Sequence, residues 1–469
     1  MHATIDSLMP IAWAGRRLVL AHGCWDMLHL GHIRHLQEAK KFGDYLIVSV
    51  TADRYVHKGI GRPHFTQDQR AEALRALACV DEVIINEDVG PWDLIRKLRP
   101  AFYVKGVDYV GVKSEALEKD RAAIAEVGGL LKFTGTRKWS SSALLRTEKF
   151  SSEVCQYLET LKKLDARDKI FDAFAKSDEK TVLFVGETIW DEYRYVKGLA
   201  RPSKELMLAT VETDQELFHG GVYAAAKHGE WKQRYMLTAG EVTKTRYVDA
   251  DFNRKIFDVY SATDINLSIE KRNEFRDKLL DAVGTSDVVI VNDFGHGLMG
   301  SIERDTVKES GFLALNCQTN AGNYGFNLVT KYPQADFVCI DDPEARLAAG
   351  DQSGSMEHVI SVLSSRIRCK KYLITHGKFG SKNFTTSSAP GRYSCASSSH
   401  PALVTGGVDT MGAGDAVMAV TAPLVAAGLE LSLAAFVGNI VGAIKVSIVG
   451  HRRHVGRREI LQTVEALLA

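Results

Sequence analysis

GCWDMLHLGH, residues 23–32, decides how the first part of the chain is read. The preceding run, RRLVLAHG (16–23), is short, apolar and closed by glycine, as a buried parallel strand would be. Residues 32–42 then repeat apolar side chains at helical spacing until Gly43. A strand, a Gly-flanked loop carrying His29 and His32, and a helix therefore follow one another. A helix N-terminus attracts phosphate through its free N–H groups and its dipole. Gly31 lets the backbone approach a ligand with no Cβ in the way. Imidazoles at such a place can donate hydrogen bonds to phosphate oxygens as charge builds on them.

Outward from this loop, strand and helix signals alternate. Strands are expected at Tyr45–Val50, Glu82–Ile85, AFYVKG (101–106) and GGLLKF (128–133). Helices are expected at Gln67–Ala78, Trp92–Leu98 and Ser114–Glu126, with a short one starting near Ser141. The alternation predicts a doubly wound α/β domain over residues 1–147. Residues 148–178 contain no Gly or Pro and are rich in Lys, Asp and Glu, which suggests a helical connector. A second alternating series begins at TVLFVGE (181–187). It includes polar, β-rich stretches over 194–211 and 245–260, read as a small β lid. It continues through VVIVNDFG (288–295), FLALN (312–316), DFVCI (336–340) and KYLITHG (371–377), and ends in a helix-rich tail after Asp409. Residues 179–469 thus form a larger α/β domain, and the Ser/Thr-rich patch 385–399 reads as a surface hairpin or loop.

Composition sets the bounds. The 469 residues suit two or three domains, and 45% hydrophobic with 25% charged residues is the make-up of a globular chain. A formal net charge of +1 gives no bulk attraction to nucleic acid or an anionic membrane. The 7 cysteines are odd in number and lack any Cys-x-x-Cys pair, which argues against a zinc site or disulfide framework and for a reducing cytoplasm. The first 17 residues lack the basic start and long apolar run of a signal peptide. The most apolar stretch, 431–449, is interrupted by Asn439 and Lys445 and reads as a buried helix.

His-x-Gly-His after a first strand resembles the cytidylyltransferase-like nucleotidyltransferase superfamily, over residues 16–146. Companions match in order: Lys58, Arg70 in FTQDQR, KGVDY (105–109) and TRKWSSSALL (136–145). The resemblance implies attack of a sugar or polyol phosphate on the α-phosphate of a nucleoside triphosphate, with release of pyrophosphate. It assigns His29 and His32 to the α-phosphate and transition state, and Lys58 to the triphosphate or the attacking phosphate. Ser141 and Ser142 would cradle the β- and γ-phosphates, with Arg137 beside them. Lys105 and Asp108 would line the nucleoside pocket, and Mg²⁺ would bridge the phosphates.

The second constellation is GGVDTMGAGDAVMAV (406–420). Gly412, Ala413 and Gly414 open an apolar helix, so that consecutive N–H groups can face an anion. Asp415, in the first turn, can take a proton from an attacking hydroxyl. The stretch resembles the signature of the ribokinase (PfkB) family, a resemblance covering about 180–469. VVIVNDFGHGLM (288–299), KTRYV (244–248) and KIFDVY (255–260) look like the kinase half of bifunctional heptose kinase/adenylyltransferases, in which the kinase comes first; here the order is reversed. The resemblance makes Asp191, Gly220, Gly221 and Asp293 sugar contacts and places Glu344 near Mg²⁺. Thr375, Gly377 and Gly380, in THGKFGS, would touch ATP.

Three departures matter. The family's early Gly-Asp reads Gly186-Glu187. Its Gly-Gly-x-x-Asn ends in Ala224. Its Asn-x-x-Glu begins with Asp341. An alanine cannot replace a hydrogen-bonding amide, so the sugar site is altered or the kinase weakened. Two expectations stand side by side. One is a sugar (heptose) phosphate kinase fused to an ATP-dependent sugar 1-phosphate adenylyltransferase. The other is a CTP-dependent polyol- or sugar-phosphate cytidylyltransferase with a modified or non-catalytic, dimerising kinase-like domain. A homodimer is expected in either case.

Overall fold

The computed structural model describes residues 15–56, 63–106, 109, 115–135, 150–199, 207–389, 392–404 and 406–468. The chain divides into two compact units, Met1–Ser151 and Ser152–Ala469.

The first unit is a five-stranded sheet in the order β3-β2-β1-β4-β5, all neighbours parallel. Its strands are β1 (Leu18–Gly23), β2 (Tyr45–Thr51), β3 (Glu82–Asn86), β4 (Phe102–Lys105) and β5 (Leu130–Phe133). The central strands β1 and β2 are largely apolar and buried, as strands covered on both faces are. Val19, Ala21, Val48 and Val50 pack on Leu36, Ala39, Ala71 and Leu74. Leu18, Leu20, Ile47, Ile84 and Tyr103 pack on Leu94, Ile95, Leu98 and Ile124. The strand order reverses between β1 and β4, and such a switch point opens a crevice at the carboxyl ends of the strands. The loop Cys24–His29 leaves β1 at that place. The helix expected from Ser141 lies outside the described residues.

In the second unit the stretch read as a connector forms two helices, Ser152–Lys163 and Ala166–Ser177. Their apolar faces (Val154, Leu158, Leu161; Ile170, Ala173, Phe174) are buried. The Ser177 hydroxyl reaches Pro423 O at 3.2 Å, and the Tyr157 hydroxyl meets His400 Nδ1 at 2.7 Å. Both helices are thereby part of the second unit.

The large sheet has eight strands in the order β17-β16-β15-β14-β13-β12-β6-β9. Its parallel body is β6 (Thr181–Gly186), β9 (Gln233–Leu237), β12 (Val288–Asp293), β13 (Leu313–Cys317), β14 (Phe337–Asp341) and β15 (Lys371–Thr375). The Ser/Thr-rich patch is the antiparallel hairpin β16 (Ser381–Ala389) and β17 (Arg392–His400) at one edge. A separate four-stranded sheet, β11-β10-β7-β8, is the lid. It comprises β7 (Thr188–Gly198), β8 (Thr210–Gly221), β10 (Glu241–Asp249) and β11 (Arg254–Tyr260). Among the described residues no helix is long and apolar enough to cross a membrane.

Candidate functional sites

At the end of β1, His29 is the N-cap of helix Leu30–Lys40. Its Nδ1 accepts from Gly31 N at 3.0 Å and His32 N at 3.3 Å. An accepting Nδ1 leaves the proton of the neutral ring on Nε2. That Nε2 is buried and has no hydrogen-bond partner among the described residues. Burial holds the His29 pKa below the usual histidine value, which keeps this neutral form. The His32 ring stacks on it with centroids 3.8 Å apart. Capping thus uses only the Nδ1 edge of the imidazole.

The loop ahead of His29 is strained. Trp25 and Met27 sit at φ 54° and 53°, where non-glycine residues are uncommon. Fixed partners hold them there. Trp25 Nε1 donates to Ser49 O at 2.8 Å, and the buried Asp26 carboxylate accepts from His64 N and Phe65 N. The fully buried Arg70 donates to Cys24 O, Phe65 O, Thr51 O and Asp53. Arg70 therefore ties the loops around the crevice together.

Lys105, expected to line the nucleoside pocket, is engaged within the protein. Its ammonium pairs with Asp120 at 3.0 Å and lies over the Tyr103 and Tyr109 rings. Lys58, Asp108, Arg137, Ser141 and Ser142 lie outside the described residues.

In the second unit, Gly412 (φ 67°) is the N-cap of helix Ala413–Ala426, a left-handed turn that suits glycine. Two cavities meet there. One, of about 190 Å³, is lined by Thr375, Gly377, Gly380, Ala413, Gly414 and Asn439 among others. The other, of about 590 Å³, is lined by Asp191, Gly221, Arg246, Glu344, Asp415 and His451 among others. Thr375, Gly377, Ala413 and Gly414 belong to both walls. Gly380 sits at φ 93°, where a Cβ would come within 2.0 Å of His400 O.

Asp415 is buried in the larger cavity. Its Oδ1 accepts from the amides of Gln318 (2.7 Å), Asn316 (3.3 Å) and Asn292 (3.4 Å). Burial raises its pKa to about 6, opposed by His451 and Asn292. A carboxylate with one oxygen so held is oriented to take a proton with the other.

Asp191 is already engaged. Arg246 donates to its Oδ1, and His451 Nε2 lies 3.1 Å from its Oδ2. Gly220 is required beside it, since a Cβ there would fall 2.1 Å from Asp191 Oδ2. A Cβ on Gly221 would fall 2.3 Å from Glu187 O. Glu187, standing where the resemblance has Asp, accepts from the N–H groups of Phe294, His296 and Leu298 and so shapes the loop after β12.

Asp293 departs from the expected sugar contact. Its oxygens are taken by Tyr332, Lys331, Asn327 and Gly295, and it is not part of the cavity wall.

Glu344 and Asp341 form a reciprocal cap: Glu344 N donates to Asp341 Oδ1 (2.8 Å) and Asp341 N to Glu344 Oε2 (3.0 Å). Burial pushes both carboxyl groups upward, and Asp341 adds to the effect on Glu344. A cation would relieve that repulsion. Among the described residues no cluster of three or more candidate metal ligands exists. This pair fits Mg²⁺, which keeps waters and shares its ligands with phosphates.

Arg246, His451, Gln318, Asn316 and Asn292 were not singled out from the sequence. Only the resemblance of KTRYV and VVIVNDFG touched two of them.

Each site lies at the N-terminus of a helix, Leu30–Lys40 in the first unit and Ala413–Ala426 in the second. Residues 20–153 match the cytidylyltransferase-like family model. Residues 327–454 match that of the pfkB family carbohydrate kinases. Among curated relatives, the bifunctional protein HldE of Campylobacter fetus subsp. fetus is 45% identical over 112 residues, 24% of this chain and 24% of that protein. The HldE of Nitratiruptor sp. is 48% identical over 99 residues, 21% of each. The chain thus spans at most about a quarter of the length of these relatives, and the matches fall in the nucleotidyltransferase region. The solved ribokinase of Giardia lamblia aligns at 15% identity and a TM-score of 0.46, over 62% of this chain and 99% of that one. The chain carries a cytidylyltransferase-like domain followed by a ribokinase/PfkB-like α/β domain, the domains of nucleotidyltransferases and carbohydrate kinases.

Proposed function

We propose that the chain is a bifunctional enzyme of nucleotide-sugar synthesis. The second unit transfers the γ-phosphoryl group of ATP to a sugar phosphate, a heptose 7-phosphate at its anomeric oxygen. The first unit joins a sugar 1-phosphate to a nucleotide and releases pyrophosphate. The observation that carries the reading is the meeting of the two cavities at Ala413 and Gly414, with Asp415 on the wall of the larger.

ATP occupies the smaller cavity, with Thr375, Gly377 and Gly380 along it. Its γ-phosphate lies on the N–H groups of the Gly412–Gly414 turn. The acceptor hydroxyl gives its proton to Asp415 as its oxygen bonds to the γ-phosphorus and the bond to ADP breaks. Mg²⁺ at Glu344 and Asp341 would offset phosphate charge. In the first unit a phosphate oxygen of the sugar attacks the α-phosphorus, and the bond to pyrophosphate breaks. Nε2–H of His29, with His32 beside it, donates to the α-phosphate oxygens as charge grows. Lys58 holds the triphosphate or the attacking phosphate, Arg137, Ser141 and Ser142 hold the leaving phosphates, and Lys105 and Asp108 border the nucleoside.

A second reading draws on Asp191, whose two oxygens already meet Arg246 and His451 and so keep fewer lone pairs for a sugar hydroxyl. In it the kinase-like unit binds a modified ligand or only dimerises, and the first unit uses CTP and a polyol phosphate. Either way the chain works as a cytoplasmic homodimer through the lid sheet, whose Leu217, Phe257 and Val259 are exposed; sedimentation at micromolar concentration tests this.

Pyrophosphate release decides between the readings. ATP and CTP are each offered with heptose 1-phosphate and with polyol phosphates, using His32→Ala as control. ATP-dependent release with heptose 1-phosphate supports the first reading. CTP-dependent release with a polyol phosphate overturns it in favour of the second.

A further inference from the structure

One charged group in the second unit is unused by this chemistry. Lys445 ends the apolar helix Leu431–Lys445, and its side chain is fully buried. Its ammonium makes no ion pair among the described residues. Asp409 is paired with Lys255, and Asp191 with Arg246 and His451. Lys445 Nζ instead donates to two backbone carbonyls, Met411 O at 2.5 Å and Gly450 O at 2.8 Å. A buried ammonium without a carboxylate is costly to desolvate. Capping its own helix does not explain it, because neither acceptor belongs to that helix.

The acceptors point to a role. Met411 immediately precedes the Gly412–Gly414 turn, and a Cβ on Gly412 would lie 3.6 Å from Lys445 Cε. Lys445 therefore lies against the turn that opens helix Ala413–Ala426. In a trans peptide the C=O and the following N–H point in opposite directions. Pinning Met411 O to the ammonium turns the Gly412 N–H the other way, and Gly412 is part of the wall of the larger cavity. The same charge polarises that peptide and places a positive centre behind the turn. Burial lowers the lysine pKa, while Asp409 and Asp415 oppose this fall through charge.

We infer that Lys445 is a fixed internal cation of the second unit, a positioning residue that aims the Gly412–Gly414 anion cradle and offsets phosphoryl charge from behind. This rests on the kinase reading of that unit.

The test uses the full chain with two substitutions. Lys445→Met keeps the length and removes both charge and donor, whereas Lys445→Gln keeps a donor without charge. ADP formation with the sugar-phosphate acceptor and Mg·ATP binding by titration calorimetry are measured in ammonium chloride and in choline chloride of equal ionic strength. In choline both variants lose about a hundredfold in kcat, with the acceptor KM within about threefold. Ammonium, small enough to enter the space left by the lysine head, restores at least about tenfold in Lys445→Met.

A Lys445→Gln chain that turns over at the wild-type rate overturns the inference, because donation alone then suffices. So does a loss that ammonium leaves unchanged, or unfolding of both variants in circular dichroism, which would make Lys445 a folding residue only. A wild-type chain that phosphorylates no acceptor sinks the kinase reading instead. Lys445 is then judged on Mg·ATP affinity: weakening reversed by ammonium upholds its role, and unchanged affinity ends it.

Discussion

Asp415 carries the sharpest residue-scale expectations. Three amides hold its Oδ1, and burial lifts its pKa to about 6. The base form exists above that pKa and is lost as pH falls through it. Phosphoryl transfer is therefore expected to fall about tenfold per pH unit below about pH 6, a limb absent from pyrophosphate release by the first unit. Asp415→Asn keeps the shape and removes the base, and ADP formation should drop by about 10²–10⁴. His29 allows its two roles to be separated. His29→Asn keeps an N-cap acceptor and loses the Nε2 donor. Stability should hold within a few tenths of a kcal/mol while pyrophosphate release falls by about 10² or more. His29→Ala should lose both, with about 1 kcal/mol of stability gone in urea denaturation.

At this scale the sequence shows residues whose roles come from neighbours in the chain. His29, Gly31 and His32 stand out because a strand, a turn and a helix follow within a few positions. Gly412 and Asp415 stand out for the same reason. Arg246, His451 and Lys445 do not, since each meets a deciding partner far off in the chain: Asp191 for the first two, Met411 for Lys445. Lys445 interrupts an apolar helix and reads as a break in hydropathy; only the fold shows what its ammonium touches. Asp293 is the converse case: the resemblance makes it a sugar contact, while Tyr332 and Lys331, distant in the chain, take its oxygens.

Among the elements, the strands were legible wherever burial on two faces made them continuously apolar, as at β1, β12 and β14. The helices 152–163 and 166–177 were legible as helices. Their place in the second unit was not, because a charged surface hides the apolar faces that dock. The β16–β17 hairpin was left open between hairpin and loop, since its serines and threonines pack at an edge where polarity is tolerated. Its geometry yields a stability test. Gly380 needs φ 93°, and a Cβ would press to 2.0 Å from His400 O, backbone that cannot move aside cheaply. Gly380→Ala should cost about 1–3 kcal/mol in denaturant unfolding and weaken ATP binding along the same wall.

The molecule as a whole is two units, each with its own core: Val19, Leu36 and Val48 in the first, Leu183, Val289 and Val338 in the second. Separate cores permit separate sites. His32→Ala should abolish pyrophosphate release and leave ADP formation within about twofold, and Asp415→Asn should do the reverse. An assay of both activities on both variants checks this, and loss of both from one substitution would refute it.

The shared wall of the two cavities in the second unit has a pharmacological consequence. Because Thr375, Gly377, Ala413 and Gly414 border both spaces, the two cavities are immediate neighbours. A short tether joining two weak fragments would make the second binding event intramolecular, at an effective concentration of order millimolar. On the kinase reading proposed above, bisubstrate inhibitors of this unit should reach useful affinity from modest parts joined by a short linker.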